Sequence, residues 1–123
     1  MNDFYREEII DHYRHPMNFG SLPDATVSSK ISNPFCGDEL ELFIKLNSQS
    51  AVDIRFIGKG CALSIAGASI LTEFIKGKSI NALTKFSEKD MLDLLNIDVS
   101  ETRKKCVLLG LEALKDCLAI KRT

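Results

Sequence analysis

Four residues of this chain carry side chains suited to metal or sulfur chemistry, and they occur in similar surroundings. They stand in Asn33-Pro34-Phe35-Cys36-Gly37-Asp38, in Gly58-Lys59-Gly60-Cys61-Ala62 and in Arg103-Lys104-Lys105-Cys106-Val107. Each cysteine falls where a loop is expected to meet a regular element, and a loop can aim a side chain into a shared pocket. Cys36 and Asp38 are two residues apart, so on an extended backbone both side chains point the same way. Three thiolates and a carboxylate can close a tetrahedral site around zinc or hold an iron–sulfur cluster. Cys61 is expected at the N-terminus of a helix and Cys106 near the start of another, beside Lys105. Unpaired amides, the helix dipole and a neighbouring ammonium all favour the thiolate. Gly37 and Gly60 leave room for a bulky ligand to approach the backbone. The spacing is not a paired CxxC signature, so on residue types alone a metal site and buried structural cysteines both stay open.

The remaining candidates point elsewhere. Cys117 follows Cys106 by eleven residues, roughly 16 Å along a helix, so it cannot share a metal with Cys106 and reads as a small buried hydrophobe. His12 and His15 are three apart, but His15 abuts Pro16, and surface or packing roles are expected for both. No Ser/His/Asp set, phosphate-binding loop or dinucleotide fingerprint is present. An enzyme with its own general acid and base is therefore not indicated.

The elements that must position these residues can be read from the periodicity. Phe4, Tyr5, Ile9, Ile10 and Tyr13 recur at helical spacing after a cap at Asn2 or Asp3, and His15-Pro16 ends that helix. Residues 17–25 read as loop. Val27–Ser32, Glu39–Leu46 and Val52–Ile57 read as strands, with Leu40, Leu42, Ile44, Leu46, Val52, Ile54 and Phe56 facing inward and Asn47–Ser50 as a hairpin turn. A helix is expected over Ala62–Lys76, with small residues along its first half and Gly77 as its C-terminal cap. Ser87 and Asp90 suggest a capping box for a short helix through Leu95. Ser100 suits the N-cap of a last helix over 101–120, with Val107, Leu108, Leu111, Leu114 and Leu118 as its buried stripe. The expected fold is α+β: a three-stranded antiparallel sheet with an N-terminal helix and C-terminal helices packed on one face.

Composition sets the frame. A chain of 123 residues with 27% charged and 45% hydrophobic residues fits one domain, 1–123, that can bury a core without disulfides. A net charge of −1 argues against nucleic acid, and Arg103-Lys104-Lys105 reads as a solvated helix start. The N-terminal residues lack the apolar core of a signal peptide and no stretch approaches a membrane span, so a cytoplasmic protein with free or metal-bound cysteines is expected.

Four segments together resemble the IscU/SufU/NifU-N-terminal family of iron–sulfur cluster assembly proteins. They are Asp11-His12-Tyr13 with His15-Pro16-Met17-Asn18-Phe19-Gly20, the Asn33–Asp38 segment, Phe56-Ile57-Gly58-Lys59-Gly60-Cys61-Ala62-Leu63-Ser64, and Cys106-Val107-Leu108-Leu109. The likeness runs from about residue 5 through the last expected helix. It implies a scaffold that accepts sulfur from a cysteine desulfurase, assembles a labile [2Fe–2S] cluster and passes it to apo-proteins or carriers. By the same resemblance the ligands are Cys36, Asp38, Cys61 and Cys106, zinc can occupy the same site, and Cys106 is the persulfide acceptor. IscU-type members carry histidine before the last cysteine, where this chain has Lys105. They also carry a proline-rich chaperone segment where this chain reads Ile97-Asp98-Val99-Ser100-Glu101-Thr102, so an Hsp70-type chaperone is not implied. Lysine before cysteine resembles the SufU branch, whose members act as zinc-bound sulfurtransferases that stimulate their desulfurase. The 45-residue separation of Cys61 and Cys106, however, leaves no room for the insertion SufU members carry there. Lys105 is either a solvated helix-face lysine or a cation that stabilises the Cys106 thiolate or an incoming persulfide. Three functions thus compete: cluster scaffold, zinc-dependent sulfurtransferase, and a closed structural zinc domain, against which the aspartate and glycines argue.

Overall fold

Alternating apolar side chains make three strands, β1 (Val27–Asn33), β2 (Asp38–Leu46) and β3 (Ala51–Lys59), in a computed structural model that describes residues 3–34 and 37–122. They pair antiparallel in the order β1-β2-β3, with Ile44 opposite both Val27 and Ile54. The Asn47 side chain closes the β2–β3 turn by accepting from the amides of Gln49 and Ser50 at 2.8 and 2.7 Å. Leu40, Leu42, Ile44, Ile54 and Phe56 are at most 2% exposed on the inner face, while Glu39, Glu41 and Phe43 on the outer face are half-buried.

Six helices complete the described residues: α1 (Asp3–Arg14), α2 (Ala62–Ile75), α3 (Ile80–Lys85), α4 (Glu88–Leu95), α5 (Glu101–Val107) and α6 (Leu109–Arg122). Helices α2 and α6 cover the sheet, and α1 packs on α2. The architecture is α+β, with the helices on one face as expected. Small residues permit the close approaches: a Cβ at Gly110 would lie 3.5 Å from the Ala68 Cα, and one at Gly67 only 3.2 Å from the Val107 carbonyl oxygen. The second contact seats the end of α5 against α2. Ser69, fully buried in α2, accepts from the Met17 amide at 2.7 Å and meets His12 Nδ1 at 2.7 Å, which ties α1 to α2. The other ring nitrogen of His12 faces Glu73 at 3.9 Å, so His12 takes a packing role. His15 is exposed. Among the described residues no helix is long and apolar enough to cross a membrane.

Several local expectations hold. Ser87 and Asp90 form a reciprocal capping box, Ser100 caps α5, and Gly77 takes φ 84° just past α2. Two need correction, the inward placement of Val52 and the single last helix. Val52 is 44% exposed, because a register shift between Lys45 and Leu46 pairs Ala51 with Leu46 and leaves Val52 out of the ladder. The first helix forms where the spacing predicts, with Ile9 buried and Ile10 and Tyr13 exposed, since α1 presents only one stripe to α2. Residues 17–25 are loop as expected, and this loop bonds to β3, with Gly20 N–H donating to the Phe56 carbonyl and Phe56 N–H to the Asn18 carbonyl at 2.8 and 3.0 Å. The helix over 101–120 is two helices, broken at Leu108 (φ −87°, ψ 0°), so Cys106 lies in the last turn of α5. Helix α3 was not expected; Ser79 caps it, and Lys115 of α6 donates to the carbonyls of Leu83 and Thr84 at its end. Asn2 lies outside the described residues.

Candidate metal centre

Asp38 opens β2 on the same face as Leu40 and Leu42, so the sheet's alternation turns its carboxylate inward, where it is 1% exposed. Cys61 follows β3 and is the N-cap of α2, with extended backbone (φ −71°, ψ 163°). Cys106 ends α5 and is 8% exposed. Strand start, helix start and helix end thus converge, and the three donor atoms all lie within 4.8 Å of one another. Cys36 lies outside the described residues; Gly37, which follows it, takes φ 72° and donates its N–H to the Asn33 carbonyl at 2.9 Å.

The carboxylate is held from two sides. The Cys61 amide donates to Asp38 Oδ1 at 3.0 Å, and the Ser64 hydroxyl donates to Oδ2 at 2.5 Å. Asp38 thereby supplies the anionic partner that the start of α2 lacks, since no acidic residue stands in that helix's own first turn. Cys61 Sγ is 3.4 Å from Oδ2. Gly60 sits over the carboxylate at φ 148°, and a Cβ there would lie 2.3 Å from Oδ1. The space that Gly60 leaves is therefore filled by Asp38. Ser64 was legible only as one small residue among several on α2. A buried serine one turn after the cysteine was the available signal.

Donor chemistry fits a small thiophilic ion, and so does the one edge of the site between Cys61 Sγ and Asp38 Oδ2. A tetrahedron with zinc–sulfur bonds of about 2.3 Å and a zinc–oxygen bond of about 2.0 Å has a sulfur–oxygen edge of about 3.5 Å, close to the 3.4 Å between Cys61 Sγ and Asp38 Oδ2. One donor, Cys61, faces solvent, and the other two are buried.

Lys105 is exposed on α5 and lines a cleft of about 250 Å³ with Ser32, Asn33, Pro34, Leu109 and Glu112. This cleft borders the Asn33-Pro34 turn that leads toward Cys36. Cys117 lies apart from the centre, fully buried in α6, with its Sγ 3.9 Å from the Leu42 carbonyl oxygen. Burial pushes its pKa from 9.0 up to about 12, as fits a core thiol.

Comparison with known proteins gives the chain a family. Residues 4–122 match the model of the NifU-like N-terminal domain. The zinc-dependent sulfurtransferase SufU of Bacillus subtilis (strain 168) is 35% identical, over 97% of this chain and 92% of that protein. That alignment runs over 136 positions, more than the 123 residues here, so SufU carries residues this chain lacks. The iron–sulfur cluster assembly scaffold protein IscU of Escherichia coli (strain K12) is 34% identical, over 94% of this chain and 91% of that one. A crystal structure from Fervidobacterium islandicum AW-1, described as an iron–sulfur cluster assembly scaffold for the SUF system, superposes with a TM-score of 0.81 at 26% identity, covering 91% and 94% of the two chains. With a family model spanning nearly its whole length and relatives of both kinds above 30% identity, this chain belongs to the NifU-like N-terminal domain family.

Proposed function

We propose that the protein is an iron–sulfur cluster assembly scaffold, a carrier acting with a cysteine desulfurase. In this reading Cys36, Asp38, Cys61 and Cys106 hold a [2Fe–2S] cluster as cargo, and apo iron–sulfur proteins or carriers receive it. The observation that carries the reading is the convergence of Asp38, Cys61 and Cys106 donor atoms within 4.8 Å, with Cys61 open to solvent. A site meant to release its cargo needs an accessible side and an exchangeable ligand. Cys61 provides the first, and the Asp38 oxygen, harder than sulfur, provides the second. Zinc fits the same residues when no cluster is held. No Hsp70-type chaperone, nucleic acid or membrane enters the proposal, and the working location is the cytoplasm.

A second reading is favoured by the similarity to SufU and by the basic run before Cys106. Here zinc orders the site and Cys106 accepts sulfur. Its thiolate attacks the outer sulfur of the desulfurase's cysteine persulfide; that S–S bond breaks, the desulfurase cysteine leaves as thiolate, and Cys106 becomes the persulfide. Cys106 is 8% exposed, so delivery requires the side chains that cover it to yield.

Anaerobic reconstitution with iron, a cysteine desulfurase and cysteine separates the two. A transferable [2Fe–2S] absorption spectrum, lost in Cys36→Ser and retained longer in Asp38→Ala, supports the scaffold. Retained zinc, no cluster and faster desulfurase turnover supports the sulfurtransferase. An Asp38→Ala chain indistinguishable from wild type in cluster lifetime, zinc content and desulfurase stimulation contradicts both.

A further inference from the structure

We infer that Ser64 is a positioning residue that presents Asp38 as the oxygen donor of the centre, a role that rests on the metal-holding reading above and adds a residue to it. Ser64 lies one helical turn after Cys61 and is 1% exposed. Its hydroxyl has one proton and three neighbours: Asp38 Oδ2 at 2.5 Å, the Cys106 carbonyl oxygen at 3.2 Å and Cys61 Sγ at 3.5 Å. The shortest contact takes the proton, so the bond goes to Asp38.

Three constraints then fix the carboxylate. Oδ2 accepts from Ser64, Oδ1 accepts from the Cys61 amide at 3.0 Å, and Gly60 packs against the group. A carboxylate oxygen has two lone pairs. Oδ2 can accept from Ser64 and still offer its second pair to a metal, at the 3.4 Å it already keeps from Cys61 Sγ. Hydrogen-bond partners of metal ligands act by orienting them, and their loss costs about 10–100-fold in metal affinity. The competing explanation makes Ser64 an ordinary link between α2 and the Cys106 carbonyl. That role predicts a stability change without a specific dependence on Asp38.

A double-mutant cycle on zinc affinity decides between them. Zinc binding is measured by chelator competition for wild type, Ser64→Ala, Asp38→Ala and the double variant, alongside thermal unfolding of each metal-free chain. The expected result is a loss of about 10–100-fold in Ser64→Ala, a larger loss in Asp38→Ala, and no further loss in the double variant. Cobalt-substituted Ser64→Ala should also show visible bands displaced toward those of Asp38→Ala. Wild-type affinity in Ser64→Ala, with Asp38→Ala weakened, overturns the role of Ser64 alone. An equal fold-loss from Ser64→Ala with and without Asp38 also overturns it, since the effect would not pass through the carboxylate. Equal affinity of wild type and Asp38→Ala overturns the underlying assignment of Asp38 as a ligand.

Discussion

Gly60 and Asp38 occupy one another's space: the missing Cβ of Gly60 would stand 2.3 Å from Oδ1 and 2.6 Å from Cγ of the Asp38 side chain. The end of β3 can thus lie flat over the carboxylate at the start of β2, and the Cys61 amide reaches Oδ1. Gly60→Ala should both strain φ 148° and expel the carboxylate. The expected cost is about 1–3 kcal/mol of stability, with weakened zinc binding. Urea unfolding of the metal-free chain and chelator competition check the two effects. Wild-type values in both would show that the strand end moves aside freely.

Cys117 predicts a pH dependence. Its pKa rises from 9.0 to about 12 on folding. The unfolded chain therefore ionises this thiol first, and the stability linked to it is complete below about pH 9 and lost as pH rises toward 12. Urea midpoints of wild type and Cys117→Ala at pH 8 and 10.5 should show a steeper fall for wild type. Parallel falls would mean that the buried thiol ionises as readily as a free one. Zinc content should match in the two chains, because Cys117 lies outside the donor cluster.

Ser69 carries the docking of α1. It accepts from the Met17 amide and meets His12, each at 2.7 Å, inside a fully buried position. Ser69→Ala leaves a partly buried amide without its acceptor, at an expected cost of about 1–3 kcal/mol. Hydrogen exchange should then quicken in α1 before the sheet. Unchanged protection of α1 would assign its docking to apolar contacts such as Ile9.

Thiol labelling of the metal-free chain should follow exposure. Cys61 faces solvent, Cys106 is nearly covered and Cys117 is wholly buried. Among these three described cysteines, mass-resolved alkylation should therefore modify Cys61 first, Cys106 next and Cys117 only on unfolding. Lys105→Ala should slow modification of Cys106 by an anionic reagent several-fold, because Lys105 is an exposed cation on the residue just before it in α5. An unaltered rate in that variant would make Lys105 a solvated surface residue.

The strands were legible because Leu40, Leu42 and Ile44 alternate with Glu39 and Glu41 and lie where the pattern puts them. The caps at Ser87 and Ser100 were legible for a similar reason, since capping is local chemistry. Val52 was misplaced because a bulge shifts register without marking the apolar pattern. The break at Leu108 escaped notice for the opposite reason: the buried stripe runs unbroken through Val107, Leu108 and Leu111, and nothing in that run signals a changed backbone. The convergence of Asp38 with Cys61 and Cys106 was expected from the family resemblance, as spacing alone had left it open. What neither spacing nor resemblance pointed to was the support of the carboxylate by Ser64 and Gly60. That support depends on how β2, β3 and α2 meet in space, and residue spacing along one chain does not encode it.

The most direct test of the centre is zinc K-edge X-ray absorption on the zinc-loaded chain. Three sulfur scatterers at about 2.3 Å and one oxygen at about 2.0–2.2 Å are expected. One sulfur should be lost in each of Cys61→Ser and Cys106→Ser, and a fourth sulfur gained in Asp38→Cys. A coordination shell that none of these three substitutions alters would contradict the account, because the metal would then be held elsewhere.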